Sequence, residues 1–246
     1  MNLTTKNIIL AISMSNMKNK NKFPLIGERE INNPTIFAEE IIQEAITAFD
    51  AKNWKKEKNK GGVLVESMPI WGDLEESNIL LMRSKGIIKN PATKVFNLLT
   101  SPQGFAILDP VCDTEDHKKP LIHTYEWKDG ARLEVALARV NFPIMPEAEF
   151  IVLNAIDPGR LIFMSKSVVY QNHPGSSPYF NGNADYTKNT KLRALNTMAL
   201  YVKPIDQNTC ELLILNYIDM CIQKGKASWI YNLINKNFFH KIYKKT

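Results

Sequence analysis

Three asparagines lie on otherwise apolar faces of predicted strands, and their type and spacing suit a binding site. Alternation of apolar and polar residues predicts β-strands over residues 149–156, 192–202 and 211–222. One face of each strand is apolar except for a single amide, namely Asn154, Asn196 and Asn216. A buried amide without a hydrogen-bond partner costs about 1–3 kcal/mol. The pattern therefore indicates either a hydrogen-bonded network in the core or polar contacts inside a cavity that holds a ligand.

The residues that share these strand faces, together with one face of a predicted C-terminal helix, would line such a cavity. Alternation alone does not determine which strand face points inward. The predicted ligand-binding residues are Phe150, Val152, Asn154, Leu192, Asn196, Met198, Ile214, Asn216, Ile230, Leu233 and Ile234.

Common catalytic signatures are absent from the sequence. It contains no glycine-rich phosphate loop, no nucleophile elbow, no paired histidines at helical metal-binding spacing and no closely spaced cysteine pair. His117 and His123 are the closest histidines, and six residues of strand would separate them by about 20 Å, too far to share a metal. We therefore predict no catalytic residue, no metal and no cofactor.

The three cysteines, Cys112, Cys210 and Cys221, are odd in number and far apart. This spacing argues against a disulfide framework and fits a reducing, cytoplasmic compartment. A short apolar stretch at residues 7–15 lacks a clear cleavage site after it, which argues against a secretory signal.

The positive charge is concentrated at the C-terminus. The chain has 31 Lys and Arg against 25 Asp and Glu, a net charge of +6. Residues 221–246 contain six lysines and no acid, so residues 1–220 are neutral overall. A neutral body with a cationic end differs from the basic face of a nucleic-acid binder. It favours an anionic membrane surface as partner, or a solvated face that serves only solubility. No apolar run approaches the roughly 20 residues that span a bilayer.

The elements that must position these residues follow from periodicity and turn residues. Residues 1–33 lack a sustained period and are predicted to form a loosely ordered extension, followed by one domain over residues 34–246. Helices are predicted near residues 34–53, after Asn90-Pro91, after Pro102, and over residues 227–243. Residues 55–60 are predicted to be a charged turn. The predicted strands span residues 63–68, 79–88, 121–127, 132–140, 149–156, 161–170, 192–202 and 211–222.

Short links between most strands predict antiparallel pairing, because parallel neighbours need long crossover connections. The expected fold class is α+β, with an antiparallel sheet that closes on a long C-terminal helix and either packs solidly against it or leaves an apolar space.

Several short strings, in order over about 200 residues, resemble the START (StAR-related lipid-transfer) domain family. They include Trp54 followed by the strand from Gly62, the string Ile87-Ile88-Lys89-Asn90-Pro91, and Glu149-Phe150-Ile151. Further along come Ser167-Val168-Val169-Tyr170, His173-Pro174, Leu192-Arg193-Ala194 and the run from Tyr217 through Trp229. The family usually has an arginine where this chain has Ala148. At position 154 this chain has an asparagine rather than an arginine, so neither position supplies a cation for a buried ion pair with the ligand head group.

The resemblance implies a helix-grip fold, which is a curved antiparallel sheet wrapped around a long C-terminal helix with an internal apolar cavity. It also implies a non-enzymatic lipid carrier that holds one lipid between the sheet and the last helix. It implies a gate formed by the loop at residues 141–148 and that helix, docking transiently on an anionic membrane. The predicted docking and gate residues are Ile144, Met145, Lys236, Lys241, Lys244 and Lys245. The lipid class stays open, and the protein is expected to be a cytoplasmic monomer, peripheral at membranes, that binds no nucleic acid.

Two alternatives stay open at the level of sequence. Helix-grip proteins also include cyclases and hydrolases of small apolar compounds, for which Tyr125, His123 and Glu134 are the candidate acid/base residues. A lipid-sensing scaffold is the other alternative, with residues 1–33 available to bind a partner.

Overall fold

The structure is a computed structural model, and it describes residues 29–69, 80–101, 103–104, 121–128, 130–140, 148–169, 192–193, 195–219, 239, 242–244 and 246. Two helices and eleven strands are described, and Phe239 and residues 242–244 are also helical. The helices are α1 (Pro34–Asp50) and α2 (Ala92–Leu99). The strands are β1 (Arg29–Glu30), β2 (Lys55–Lys60), β3 (Val63–Pro69), β4 (Leu80–Ile88), β5 (Leu121–Lys128), β6 (Ala131–Val140), β7 (Ala148–Asp157), β8 (Ile162–Val169), β9 (Leu192–Arg193), β10 (Leu195–Pro204) and β11 (Cys210–Asp219).

One sheet organises the described part of the chain. Nine of its strands follow the order β2-β3-β4-β11-β10-β8-β7-β6-β5, and every neighbouring pair along this path is antiparallel. Two short strands pair off this path in parallel, β1 with β8 and β9 with β7. The predicted α+β class with an antiparallel sheet is confirmed. Most of the predicted C-terminal helix lies outside the described residues.

The two faces of the sheet carry separate apolar cores. The α1 face packs against helix α1 through buried side chains such as Leu153, Ala155 and Met164. The α2 face packs against helix α2 and the helical residues Phe239 and Ile242. Alternation along each strand assigns successive residues to opposite faces.

Helix α1 begins at an asparagine cap and is fixed to the sheet by charge as well as by apolar packing. Asn33 Oδ1 accepts hydrogen bonds from the backbone N–H groups of Thr35 at 3.1 Å and Ile36 at 3.3 Å. Such a cap satisfies orphan donors of the first turn. From the α1 face, the fully buried Lys166 reaches Glu44 of α1, and Glu44 also accepts from Arg29 at 2.9 Å.

The described fold includes residues 29–33, which are part of the predicted N-terminal extension. Arg29–Glu30 form β1 alongside β8, and Ile31 is buried in the α1-face core. The ion pair between Arg29 and Glu44 and the pairing with β8 are long-range contacts, which local periodicity does not reveal. Residues 1–28 lie outside the described residues.

The expected charged turn at residues 55–60 is wrong, since Lys55–Lys60 form the edge strand β2. Gly61 and Gly62 have φ values of +58° and +78°, which allow a tight hairpin into β3. Lysines are common on edge strands because their charge opposes edge-to-edge association.

The predicted strand at residues 192–202 is divided in two. Leu192–Arg193 pair with β7, whereas Leu195–Pro204 run between β8 and β11.

Among the helices that the structure describes, none is long and apolar enough to span a membrane.

Candidate functional site

A row of polar side chains crosses the middle of the α2 face. Strand register places Glu134 opposite Asn154, Asn154 opposite Ser165, Ser165 opposite Met198, and Met198 opposite Asn216. Two further polar residues lie on the same face, two positions along their strands. Ser167 is opposite Val152, and Asn196 is opposite Ile218. We refer to these six polar side chains as the polar belt: Glu134, Asn154, Ser165, Ser167, Asn196 and Asn216.

Four of the six members of the polar belt are buried, and Glu134 and Asn196 are partly exposed. Asn154 is 7% exposed, Ser165 5% and Asn216 3%, and Ser167 is fully buried. Ser167 Oγ accepts a hydrogen bond from the backbone N–H of Asn196 at 2.8 Å. Buried polar side chains normally have hydrogen-bond partners, so each member needs an explanation.

Asn154 and Ser165 have no hydrogen-bond partner for their side chains within the part of the chain that the structure describes. Their polar atoms are nevertheless not sealed in the core. The one fully enclosed side-chain nitrogen or oxygen without a partner among the described residues is Thr197 Oγ1, on the other face. The amide of Asn154 and the hydroxyl of Ser165 therefore border a space in which another group could contact them.

Beyond the belt, towards α2, the same face becomes apolar. Phe163, Leu200 and Ile214 form the next row of opposed residues, and they pack with Phe96 of α2 and with Phe239. The α2 face is thus polar in its middle and closed by a packed apolar core toward α2.

The charges at the belt are paired. Arg132 Nε donates to Glu134 Oε1 at 2.7 Å, and the Glu134 side chain is only 12% exposed. Arg132 Nη2 also donates to the carbonyl oxygen of Thr100, just after helix α2, at 3.4 Å. This guanidinium holds the belt's one carboxylate and links it to the end of α2.

The strand residues predicted to line a cavity share the α2 face. Asn154, Asn196, Asn216, Met198 and Ile214 lie there by register, and Ile214 is part of the core on that side. Phe150 and Val152 alternate with Asn154 along β7 and are also buried. Their contact with a ligand stays a prediction. Leu192 is in β9, and its side chain is not among those described.

The remaining predicted site residues fall largely outside the described part of the chain. Lys244 is described, helical and exposed. The others, outside the described residues, are Ile144, Met145, Ile230, Leu233, Ile234, Lys236, Lys241 and Lys245.

Sequence reasoning missed Ser165 and Ser167 as site residues. The available signal was the same alternation that indicated the asparagines, since residues 163, 165 and 167 share one face of β8. Their importance depends on strand order, because Ser165 becomes relevant only where β8 pairs with Asn154 of β7.

The candidate acid/base residues of the enzyme alternative do not share one register position. Glu134 is in the polar belt, whereas His123 and Tyr125 pair with Val135 and Leu133, whose side chains belong to the α1-face core.

The thiol of Cys210 is buried in the α2-face core, and burial raises its pKa. A raised pKa makes this thiol a poor nucleophile near neutral pH.

The fold resembles solved lipid-transfer domains, although no protein-family model and no curated protein matches the sequence. Human StAR-related lipid transfer protein 5 aligns with a TM-score of 0.61 and 14% identity, over 86% of this chain and 93% of that chain. Human STARD10 aligns with a TM-score of 0.52 and 14% identity, over 82% of this chain and 76% of that chain. The lipid transfer and protein localization domain of human StarD13 (DLC2) aligns at 0.52 and 15% identity, over 84% and 94%.

These alignments define the class of fold. The chain has a START-like, helix-grip fold, as the resemblance of its sequence implied. At this level of identity the likeness establishes the fold, and the function is argued from the α2 face.

Proposed function

We propose that this protein binds one lipid against its α2 face and carries it between membranes without catalysing a reaction. The observation that supports the proposal is the polar belt, a set of buried polar side chains on an otherwise apolar face of a START-like fold. In the proposed complex the apolar side chains cover the lipid tails, and the belt contacts the polar end. The protein acts as a monomer in the cytoplasm and meets membranes only transiently.

The energetics of such a carrier depend on exchange rather than on tight binding. Each methylene group kept from water is worth about 0.8 kcal/mol, so a 16-carbon chain gains about 13 kcal/mol in the protein. A bilayer offers a similar gain, so transfer between the two is nearly neutral. The carrier's task is then to lower the barrier of passage through water by opening at the membrane.

The opening is proposed to lie where β6 and β7 are joined. This loop carries Ile144 and Met145, and it precedes the β7 residues Phe150 and Val152 of the proposed lining. The C-terminal residues Ile230, Leu233 and Ile234 complete the lining, and Lys236, Lys241, Lys244 and Lys245 attract the anionic surface.

The test is to identify lipids that copurify with the protein and to measure lipid transfer between vesicles. Mass spectrometry should recover one lipid class in near-stoichiometric amount. Asn154→Leu should lower the affinity for that lipid by about tenfold, because a hydrogen bond in a buried site is lost. Asn59→Leu, at an exposed asparagine of β2, is the matched control and should bind as the wild type does.

A different outcome would support the enzyme alternative. Glu134 is the acidic side chain of the belt, so Glu134→Gln should abolish turnover of a small apolar compound if the protein is a helix-grip enzyme. Absence of bound lipid and of vesicle transfer, together with such a loss of turnover, would overturn the carrier proposal.

A further inference from the structure

The contact between β7 and β8 contains two polar side chains that face each other without partners. Asn154 and Ser165 occupy directly opposed register positions, and both are more than nine-tenths buried. Opposed residues in an antiparallel pair have Cβ atoms about 4.5–5.5 Å apart, so one small group can contact both side chains. Neither side chain is hydrogen-bonded within the described part of the chain, and both border the space on the α2 face.

The chemistry of this pair defines what it can hold. The Asn154 amide offers an acceptor oxygen and a donor N–H₂ group, and the Ser165 hydroxyl can donate and accept. A ligand hydroxyl can also donate one hydrogen bond and accept another. It can therefore donate a hydrogen bond to Asn154 Oδ1 while it accepts one from the Ser165 hydroxyl. The pair is complementary to a hydroxyl group without any change of protonation.

The charges beside this pair disfavour an anionic ligand group. The Glu134 carboxylate is opposite Asn154 on the neighbouring strand, and its counter-ion Arg132 is already bound to it at 2.7 Å. On the belt strands β6, β7, β8, β10 and β11, no other cation lies on the α2 face among the described side chains. A phosphate placed here would be desolvated beside a carboxylate and would meet no free cation on the described side chains of these strands, which is strongly unfavourable.

We infer that the polar end of the bound lipid is an uncharged hydroxyl group, held between Asn154 and Ser165. The inference rests on the proposed lipid-binding function and adds the class of ligand, a lipid whose head group is neutral rather than a phosphate. The partly buried Met198, opposite Ser165 on the same face, is available to contact the apolar remainder of the molecule.

The experiment compares two lipids that differ only at this end. Full-length protein is incubated with vesicles containing dioleoylglycerol or dioleoylphosphatidic acid in a phosphatidylcholine background, and the lipid extracted into the protein fraction is quantified. The diacylglycerol should be extracted at least about tenfold more than the phosphatidic acid, the ratio expected when a buried charge lacks a partner. Asn154→Leu and Ser165→Ala should each lower extraction of the diacylglycerol, whereas Asn59→Leu should not.

The outcomes separate this inference from the proposed function. Equal or greater extraction of phosphatidic acid or of phosphatidylcholine would overturn the neutral head group while leaving lipid binding intact. Extraction of diacylglycerol that is insensitive to both belt variants, shown to be folded by circular dichroism, would overturn the assignment of Asn154 and Ser165. If neither test lipid is extracted, the lipid that copurifies with the protein tests the inference. An uncharged head group on that lipid would support it, and a charged head group would overturn it. Recovery of no lipid at all would contradict the proposed function itself.

Discussion

At the scale of single residues, Tyr243 connects the C-terminal segment to the sheet. Its hydroxyl donates to the carbonyl oxygen of Leu212 at 2.6 Å and lies 3.3 Å from Ser84 Oγ. Gly86 makes this contact sterically feasible, because a Cβ atom at that position would lie 2.8 Å from Tyr243 Cε1. A small residue on β4 is therefore required for the aromatic ring to pack against the α2 face.

The stability of the fold should depend on the protonation of Tyr243. Burial raises the pKa of this phenol above its usual value near 10. The folded state then retains a proton that the unfolded state releases, so stability is fully present below pH 10 and falls as the pH rises above it. Tyr243→Phe should cost about 1 kcal/mol at pH 8 through the lost hydrogen bond.

The comparison across pH tests this assignment. Urea denaturation at pH 8 and at pH 11 should show the wild type losing more of its unfolding free energy than Tyr243→Phe does. An identical loss in the two proteins would mean that another group controls the alkaline transition.

At the scale of elements, Arg83 joins the end of α1 to the β3–β4 pair. Its guanidinium donates to Glu66 Oε2 at 2.9 and 2.6 Å, and to the carbonyl oxygen of Phe49, near the end of α1, at 2.6 Å. The ring of Trp54 lies 4.4 Å from Arg83 Cζ. A cation at a helix C-terminus satisfies orphan carbonyl groups and complements the helix dipole.

Loss of this guanidinium should be more damaging than loss of the whole ion pair. Arg83→Met should lower the unfolding free energy by about 3–5 kcal/mol, because Glu66 is left buried without its main counter-ion. The double variant Arg83→Met with Glu66→Leu should recover part of that loss. Urea unfolding of both single variants and the double variant gives the coupling energy, and additive losses would contradict a buried pair that acts as a unit.

At the scale of the whole molecule, the distribution of charge separates the body from its end. Residues 1–220 are neutral overall, and the six excess lysines lie in residues 221–246. A carrier benefits from weak attraction to membranes, since strong attraction would hold it at one surface. Each lysine near an anionic surface contributes about 1 kcal/mol, so residues 221–246 would supply the attraction that the proposed docking requires.

The proposed docking role of residues 221–246 can be tested by the rate of lipid transfer to vesicles. Changing Lys236, Lys241, Lys244 and Lys245 together to Gln should slow transfer to anionic vesicles by about tenfold or more, and should reduce its dependence on salt. The matched control changes four exposed lysines to Gln, namely Lys52 before β2 and Lys55, Lys56 and Lys60 within it. An equal slowing in both variants would indicate general charge attraction rather than a docking end.

Local patterns in the amino-acid sequence were enough to predict several features of this protein. Alternation identified most strands of the sheet and grouped Asn154 with Phe150 and Val152 on one strand face. Turn residues and short links indicated antiparallel pairing. These features depend on backbone geometry within a few residues, because side chains alternate with a period of two in any strand.

Features that depend on contacts between distant segments became visible in the three-dimensional structure. It showed that β4 pairs with β11, that β1 joins β8, and that the lysine-rich segment Lys55–Lys60 is an edge strand. It also placed Ser165 opposite Asn154, which converted one asparagine in a pattern into a candidate binding pair. Strand order and register are set by long-range pairing and by burial of a whole face, and no local alternation carries that information.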